Sequence, residues 1–284
     1  MGDGDVLEEA FNMDALGTGI TGGEPILFQE RTLHFMDLLK SEFGDGHHIH
    51  LYTTEDISWD LAEELYSHGL DEIRFHLIGK VSGYRDSLRN ARKAGISTGV
   101  ELPAIPGWGE KIAEAIKKLE MDFLNLNELE FSETNREALS RRGFDTVDGI
   151  RATGSEELVE RIIKEYGDLV PINFCSSSFK DVVQLRNRLL RTAHNTAKRY
   201  EEVTPDGTLL RGVIEVSPKS GSVRKLVKMF GPSYEIRGKK IILNPSTLTK
   251  ITARLPDGTQ AYISEVYPTW DGLEVERSYL KGGE

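Results

Sequence analysis

Two hydrophobic periods alternate through the first two thirds of this chain, and that alternation narrows its possible folds more than any other feature. Stretches with apolar residues three and four apart read as helices, and the short runs between them, with period two, read as strands. A helix over residues 5–11 opens the series, with Asp5 as a cap candidate, and a short strand follows at 19–22. Helices over 27–43, 58–68, 85–94, 110–119 and 156–166 then alternate with strands over 48–53, 72–78, 97–102, 122–127 and 170–175. Gly69 and Gly95 supply stop signals directly after two of the helices. One helix between each pair of strands, at about 25–30 residues per unit, implies parallel pairing through right-handed crossovers. Such a sheet closes either as an open doubly wound layer or as a full or partial barrel.

The pattern changes after Cys175. Residues 180–200 read as one basic helix, and beyond 201 the chain reads as β structure. Its turn signals are Pro205-Asp-Gly and Pro256-Asp-Gly. Strands are expected over 209–216, 234–243, 249–255, 260–266 and 273–278. The division that follows is an α/β core over 1–179, a connecting helix over 180–200 and a small antiparallel β domain over 201–284.

Charge and cysteine content limit the function classes. The net charge of −11 argues against generic DNA binding. It is unevenly spread: about −17 over the first 179 residues, about +8 over 180–240 and about −2 beyond. Arg186, Arg188, Arg191, Lys198 and Arg199 on the basic helix are therefore candidates for an anionic partner, RNA among them. No run approaches ~18 apolar residues, so no membrane span is expected. The acidic N-terminus lacks the form of a signal peptide. A single cysteine in 284 residues excludes an internal disulfide framework and points to a reducing, cytoplasmic compartment.

The strands carry more polar residues than buried parallel strands usually do. His48, His50 and Tyr52 share one face of their strand, and so do Arg74 and His76. Glu101 ends the fourth strand, Asn125 and Asn127 lie on the fifth, and Asn173 and Cys175 on the sixth. Polar groups on one side of every strand favour a barrel whose interior holds a polar ligand. His47, His48 and His50 have the look of metal ligands, and His48 and His50 share a strand face, but no third ligand is evident beside them, so no metal site is expected in this chain. The Cys175 thiol, at a strand end, is a candidate hydrogen donor or covalent partner.

The sharpest local signal is Thr21-Gly-Gly-Glu-Pro25. Two glycines let a backbone approach a ligand closely, a carboxylate beside them can take a cationic group, and the proline starts the next helix. The surrounding Gly17-Thr-Gly-Ile-Thr-Gly-Gly-Glu-Pro-Ile-Leu-Phe28 resembles the glycine-glycine-glutamate-proline segment of the radical S-adenosylmethionine superfamily. Asp71–Gly79, Tyr84–Gly107 and Phe123–Glu128 are similar to its following strands and helices, in order, so the resemblance covers roughly residues 5–180. It implies a partial (β/α) barrel, a [4Fe–4S] cluster, an external electron donor, and cleavage of S-adenosylmethionine to a 5′-deoxyadenosyl radical. It places Gly22, Gly23, Glu24 and Pro25 at the methionyl amine, and Arg74 or His76 at the carboxylate or ribose. Glu101 stands among the cofactor-facing residues, while Ile105, Gly107, Asn125 and Asn127 fall near the adenine. The substrate it leaves open is a protein, an RNA or a small molecule.

The superfamily holds its cluster with a CxxxCxxC loop, and this chain has no such motif. The expectation drawn is an N-terminally incomplete radical enzyme lacking its first strand. The alternative is a cluster-free module that binds S-adenosylmethionine or a partner. A phosphate-binding barrel is a third reading, opposed by Glu24, whose charge would repel the phosphate.

Overall fold

The computed structural model describes residues 2–215, 221–230 and 233–283. They form two compact units: one holds the chain up to Glu8 and from Ala15 to Lys180, the other holds Glu9–Asp14 and the chain from Asp181 onward.

The first unit follows the alternating pattern. Helix α1 (Asp3–Asn12) begins it, and strand β1 (Gly17–Ile20) leads into a 3-10 turn over Pro25–Phe28 and helix α2 (Gln29–Phe43). Then come β2 (His48–Thr53), α3 (Trp59–Ser67), β3 (Glu72–His76), α4 (Arg85–Ala94), β4 (Ser97–Ala104), α5 (Gly109–Lys118) and β5 (Phe123–Glu128). A short α6 (Arg136–Arg141) and α7 (Ser155–Tyr166) precede β6 (Ile172–Cys175). The six strands pair in sequence order, β1-β2-β3-β4-β5-β6, and all are parallel. The result is a TIM-like partial barrel with helices on its outer face.

Period two decides which side each residue takes. Ile49, Leu51, Ile73, Phe75, Val100, Leu102, Leu124 and Leu126 point to the helices and are at most 1% exposed. They pack in one cluster with Met36 and Leu39 of α2, Ala62 and Leu65 of α3, Leu88 of α4, Ile112 of α5 and Ile162 of α7. Each such side chain contributes about 1.5–3 kcal/mol. Register is held at the strand starts by a repeated device. Asp71 Oδ2 accepts from Ile49 N on the neighbouring strand at 2.7 Å, and Asp122 Oδ2 accepts from Thr98 N at 2.9 Å.

The second unit contains α8 (Arg186–Thr196), β7 (Glu202–Val203), β8 (Leu209–Glu215), α9 (Gly221–Phe230), β9 (Tyr234–Arg237), β10 (Lys240–Leu243), α10 (Pro245–Ile251), β11 (Gln260–Val266) and β12 (Glu274–Lys281). Its sheet is antiparallel, in the order β12-β11-β8-β10-β9, with β7 on β8. Ile214, Ile241, Leu243 and Ala261 of the sheet pack with Val223 and Val227 of α9 and Leu248 and Ile251 of α10.

Several sequence expectations change here: Asp5, expected to cap the first helix, lies inside α1, and the part beyond 201, expected as β structure, also holds the helices α9 and α10. The basic helix over 180–200 is a π-helical turn over Phe179–Leu185 followed by α8, which stops at Thr196. Val182 and Val183, expected in its apolar stripe, are 63% and 39% exposed. The strand expected over 249–255 is the end of α10 and a 3-10 turn. Asn244 caps that helix through Ser246 N and Thr247 N, and Pro245 fits its first turn. The strand expected over 234–243 is the hairpin β9–β10. Val216, expected to end a strand, lies outside the described residues.

Candidate functional site

The inner face of the first unit's sheet is polar, and the register stacks its side chains in rows. At the N-terminal end of the strands Gly17 lies beside His48, and Gly19, His50 and Glu72 form the next row. Tyr52, Arg74, Gly99 and Phe123 follow, then His76, Glu101, Asn125 and Asn173, and finally Pro103, Asn127 and Cys175. Small residues alternate with large ones for a steric reason. A Cβ at Gly99 would sit 2.1 Å from the Phe123 ring, and one at Gly19 would sit 2.6 Å from His50 Nε2.

One hydrogen-bonded network joins most of the rows. Asn127 Nδ2 donates to Glu101 Oε1 at 2.8 Å and Asn125 Nδ2 to Glu101 Oε2 at 3.3 Å, while Asn173 donates to Asn125 Oδ1 at 3.0 Å. Arg74 donates to Glu72 and to the Tyr52 hydroxyl, and its Nη1 lies 3.6 Å from Glu101 Oε2. Burial pushes the Glu101 carboxyl up, but His76 and the amides of Asn127 and Asn125 outweigh it and hold the group below its ordinary value. Burial and the adjacent Arg74 push His50 down to about 4, so its ring is neutral at neutral pH. His76 Nε2 stands 3.8 Å from Glu101, close enough to act on its charge but too far for a hydrogen bond, and no other group hydrogen-bonds it.

The Gly-Gly-Glu-Pro segment lies at the C-terminal end of β1. Gly22 and Gly23 take φ of 95° and 62°, and a Cβ at either would meet nothing within 4 Å, so this backbone is open to a ligand. The Glu24 carboxylate, by contrast, is committed within the protein. Its Oε2 accepts from Thr54 N at 2.8 Å and from Thr54 Oγ1 at 2.9 Å, and its Oε1 accepts from Thr53 Oγ1 at 2.7 Å and Ile26 N at 3.3 Å. Burial raises its pKa, and these donors outweigh the burial and lower it. Pro25 is buried at the start of the 3-10 turn.

A cavity of about 350 Å³ opens at the C-terminal ends of β3, β4 and β5, lined by His76, Ile78, Glu101, Pro103, Trp108 and Asn127 among others. Ile105 and Gly107 belong to the adjoining β4–α5 loop but do not line it. Cys175 ends β6 beside Asn127, and burial raises its pKa, which keeps the thiol protonated. The site thus brings together Arg74, His76, Glu101, Asn125 and Asn127.

The basic candidates belong to the second unit. Arg186 donates to Pro205 O, Arg191 to Met13 O and Lys198 to Glu235, while Arg188 and Arg199 are exposed. Sequence reading missed Glu72, whose place two residues before Arg74 puts it on the same strand face. Among the described residues, no helix is long and apolar enough to cross a membrane.

The fold and site define a class: a parallel (β/α) partial barrel with a charged, hydrogen-bonded interior and a glycine loop at the strand ends. A Methanocaldococcus jannaschii protein named "putative glycyl-radical enzyme activating enzyme" is 41% identical over 297 residues, covering 96% of this chain and 78% of that one. The chain belongs to the family of that protein. Residues 207–280 also match a family model described as a domain of unknown function (DUF8061). Among solved structures, the 3-hexulose-6-phosphate synthase of Salmonella typhimurium is similar at 12% identity and a TM-score of 0.40, over 63% of this chain and 86% of that one. The tryptophan synthase of Pyrococcus furiosus gives 15% and 0.38, over 68% and 89%. Neither likeness speaks to function.

Proposed function

We propose that this chain is the S-adenosylmethionine-binding core of a radical S-adenosylmethionine protein. The observation that carries the reading is the open Gly22-Gly23 backbone, set at a strand end with the polar interior of the sheet alongside. Backbone groups of these two glycines hold the methionyl amine. Glu24 acts through them, because its carboxylate ties the loop to Thr53 and Thr54. His76 faces the ribose or carboxylate in preference to Arg74, since Arg74 is already spent on Glu72 and Tyr52. Ile105, Gly107, Asn125 and Asn127 lie toward the adenine, and Glu101 orients the two asparagines. When bound, S-adenosylmethionine supplies an activated carbon on its sulfonium.

The residues of this chain do not fit a [4Fe–4S] cluster. Such a cluster needs at least three thiolates, and this chain offers one cysteine. No radical step is assigned to these residues. The same single cysteine favours a second reading, a cluster-free binding module. In the radical reading the partner is a glycyl-radical protein, as the relative's name states for that relative. An external electron donor, a cytoplasmic setting and an anionic partner at Arg188 and Arg199 go with it.

Calorimetric titration of the chain with S-adenosylmethionine tests the proposal. The expected outcome is binding tighter than about 1 mM, weakened at least tenfold by Gly22→Val, which strains the positive-φ loop. A folded protein that binds no S-adenosylmethionine at that level refutes it. Iron content and 5′-deoxyadenosine formation, measured on protein from its native source, separate the radical reading from the binding module.

A further inference from the structure

We propose that His48, His50 and Glu72 form a binding site for a first-row divalent metal ion, zinc above all, at the N-terminal end of the inner sheet face. It lies at the opposite end of the strands from the Gly22-Gly23 loop and is independent of the S-adenosylmethionine reading.

Geometry makes the first part of the case. His48 and His50 alternate on β2, so both rings stand on the inner face, and Glu72 on β3 is in register with His50. One ligand atom from each residue lies within 4.8 Å of the others. His48 Nε2 and Glu72 Oε2 are 3.8 Å apart, too far for a hydrogen bond. Two atoms sharing a zinc ion at bonds of roughly 2.0–2.1 Å stand about 3–3.5 Å apart, so small side-chain rotations close the site.

The second part is an unmet demand. His50 Nδ1 is buried and has no hydrogen-bond partner. A buried imidazole nitrogen normally has one, and its lack calls for an unseen ligand or ion. The strand beside it leaves room for this ring: a Cβ at Gly19 would sit 2.6 Å from His50 Nε2.

The third part is how the Glu72 carboxylate is held. Arg74 Nε donates to Glu72 Oε1, which fixes the carboxylate and leaves Oε2 turned to His48. The Arg74 charge is itself faced by Glu101 at 3.6 Å. Ligands of this kind are held by such outer partners. Two imidazoles and one carboxylate select zinc or a neighbouring transition metal over magnesium or calcium, and they leave coordination positions for water. The His48 side chain is 47% exposed, which gives the ion a way in.

The test uses the untagged, EDTA-stripped chain, titrated with Zn²⁺ by competition against a chromogenic chelator and with Co²⁺ by visible spectroscopy. The expected results are one Zn²⁺ per chain and a Co²⁺ spectrum with bands of nitrogen and oxygen ligation. His48→Gln, at an exposed position that the fold tolerates, and His50→Ala should each lower affinity beyond the 10–100-fold that outer-shell partners are worth. His34→Ala and His68→Ala, which break surface pairs with Asp3 and Asp37, should leave it unchanged. Absence of stoichiometric Zn²⁺ binding by the parent overturns the proposal. So does parental affinity in a folded His48→Gln protein, which would leave the two rings as ordinary residues of a polar sheet face.

Discussion

Replacing Glu24 by Gln tests how the glycine loop is held. The carboxylate accepts four hydrogen bonds, two on each oxygen. The amide keeps one oxygen, which goes to Thr54 N, the better-placed backbone donor at 2.8 Å. Its NH₂ then faces Thr53 Oγ1, which can turn to accept, and Ile26 N, which cannot. The Thr54 bond loses its charge assistance, worth about 1 kcal/mol, and the Ile26 N–H loses its acceptor at a further ~1 kcal/mol. The sum of about 2 kcal/mol is a roughly 30-fold change in the unfolding constant. With a urea slope of about 2 kcal/mol/M, the midpoint should fall by about 1 M. Tryptophan fluorescence reads the first unit through Trp59 and Trp108, because Trp270 is 90% exposed before unfolding. The pH dependence gives a second reading. The folded pKa of Glu24 lies below its ordinary value of 4.5, so its stabilisation is complete above that pH and disappears as the pH falls below it. The variant should lack this part of the acid loss. A midpoint within about 0.2 M of the parent, with an unchanged acid limb, would refute the anchoring role.

Other outcomes follow from the same contacts. Gly99→Ala should cost about 2 kcal/mol by driving a Cβ into the Phe123 ring, and adding Phe123→Leu should recover much of the loss in a double-mutant melt. Ser155→Ala should cost about 2 kcal/mol, because the fully buried hydroxyl donates to Ala104 O at 2.8 Å and accepts from Leu129 N at 3.0 Å; a thermal melt matching the parent would contradict this. In the second unit Arg237, Lys198 and Tyr200 hold Glu235 down to about 2. Its stabilising contribution is therefore complete above about pH 4.5 and lost as the pH falls toward 2. Glu235→Gln should flatten that part of an acid titration followed by circular dichroism.

Some of the site was legible and some was not, for identifiable reasons. Arg74, His76, Glu101, Asn125 and Asn127 stood out because a parallel strand rarely carries polar residues, and the register then gathered them into one network. Glu72 was open to the same period-two reading but precedes the apolar part of its strand. The strand expected over 249–255 came from its β-branched threonines. Leu248, Ile251 and Leu255, spaced three and four apart and buried, were the helical signal that outweighed them. The basic helix was read from composition, but charge alone does not show that Arg186, Arg191 and Lys198 already have partners.

The alternation of helices and strands in the first unit, its parallel sheet and the glycine loop were determined by the sequence itself. They rest on local periodicity and on backbone conformations that only certain residues take. Tertiary structure alone decided which polar groups meet. Whether Glu24 faces a ligand or its own loop, and whether His48 and His50 find a third partner, depends on strands distant in sequence lying side by side in one register. A side chain's role there is set by the neighbour that pairing supplies, and no local pattern encodes it.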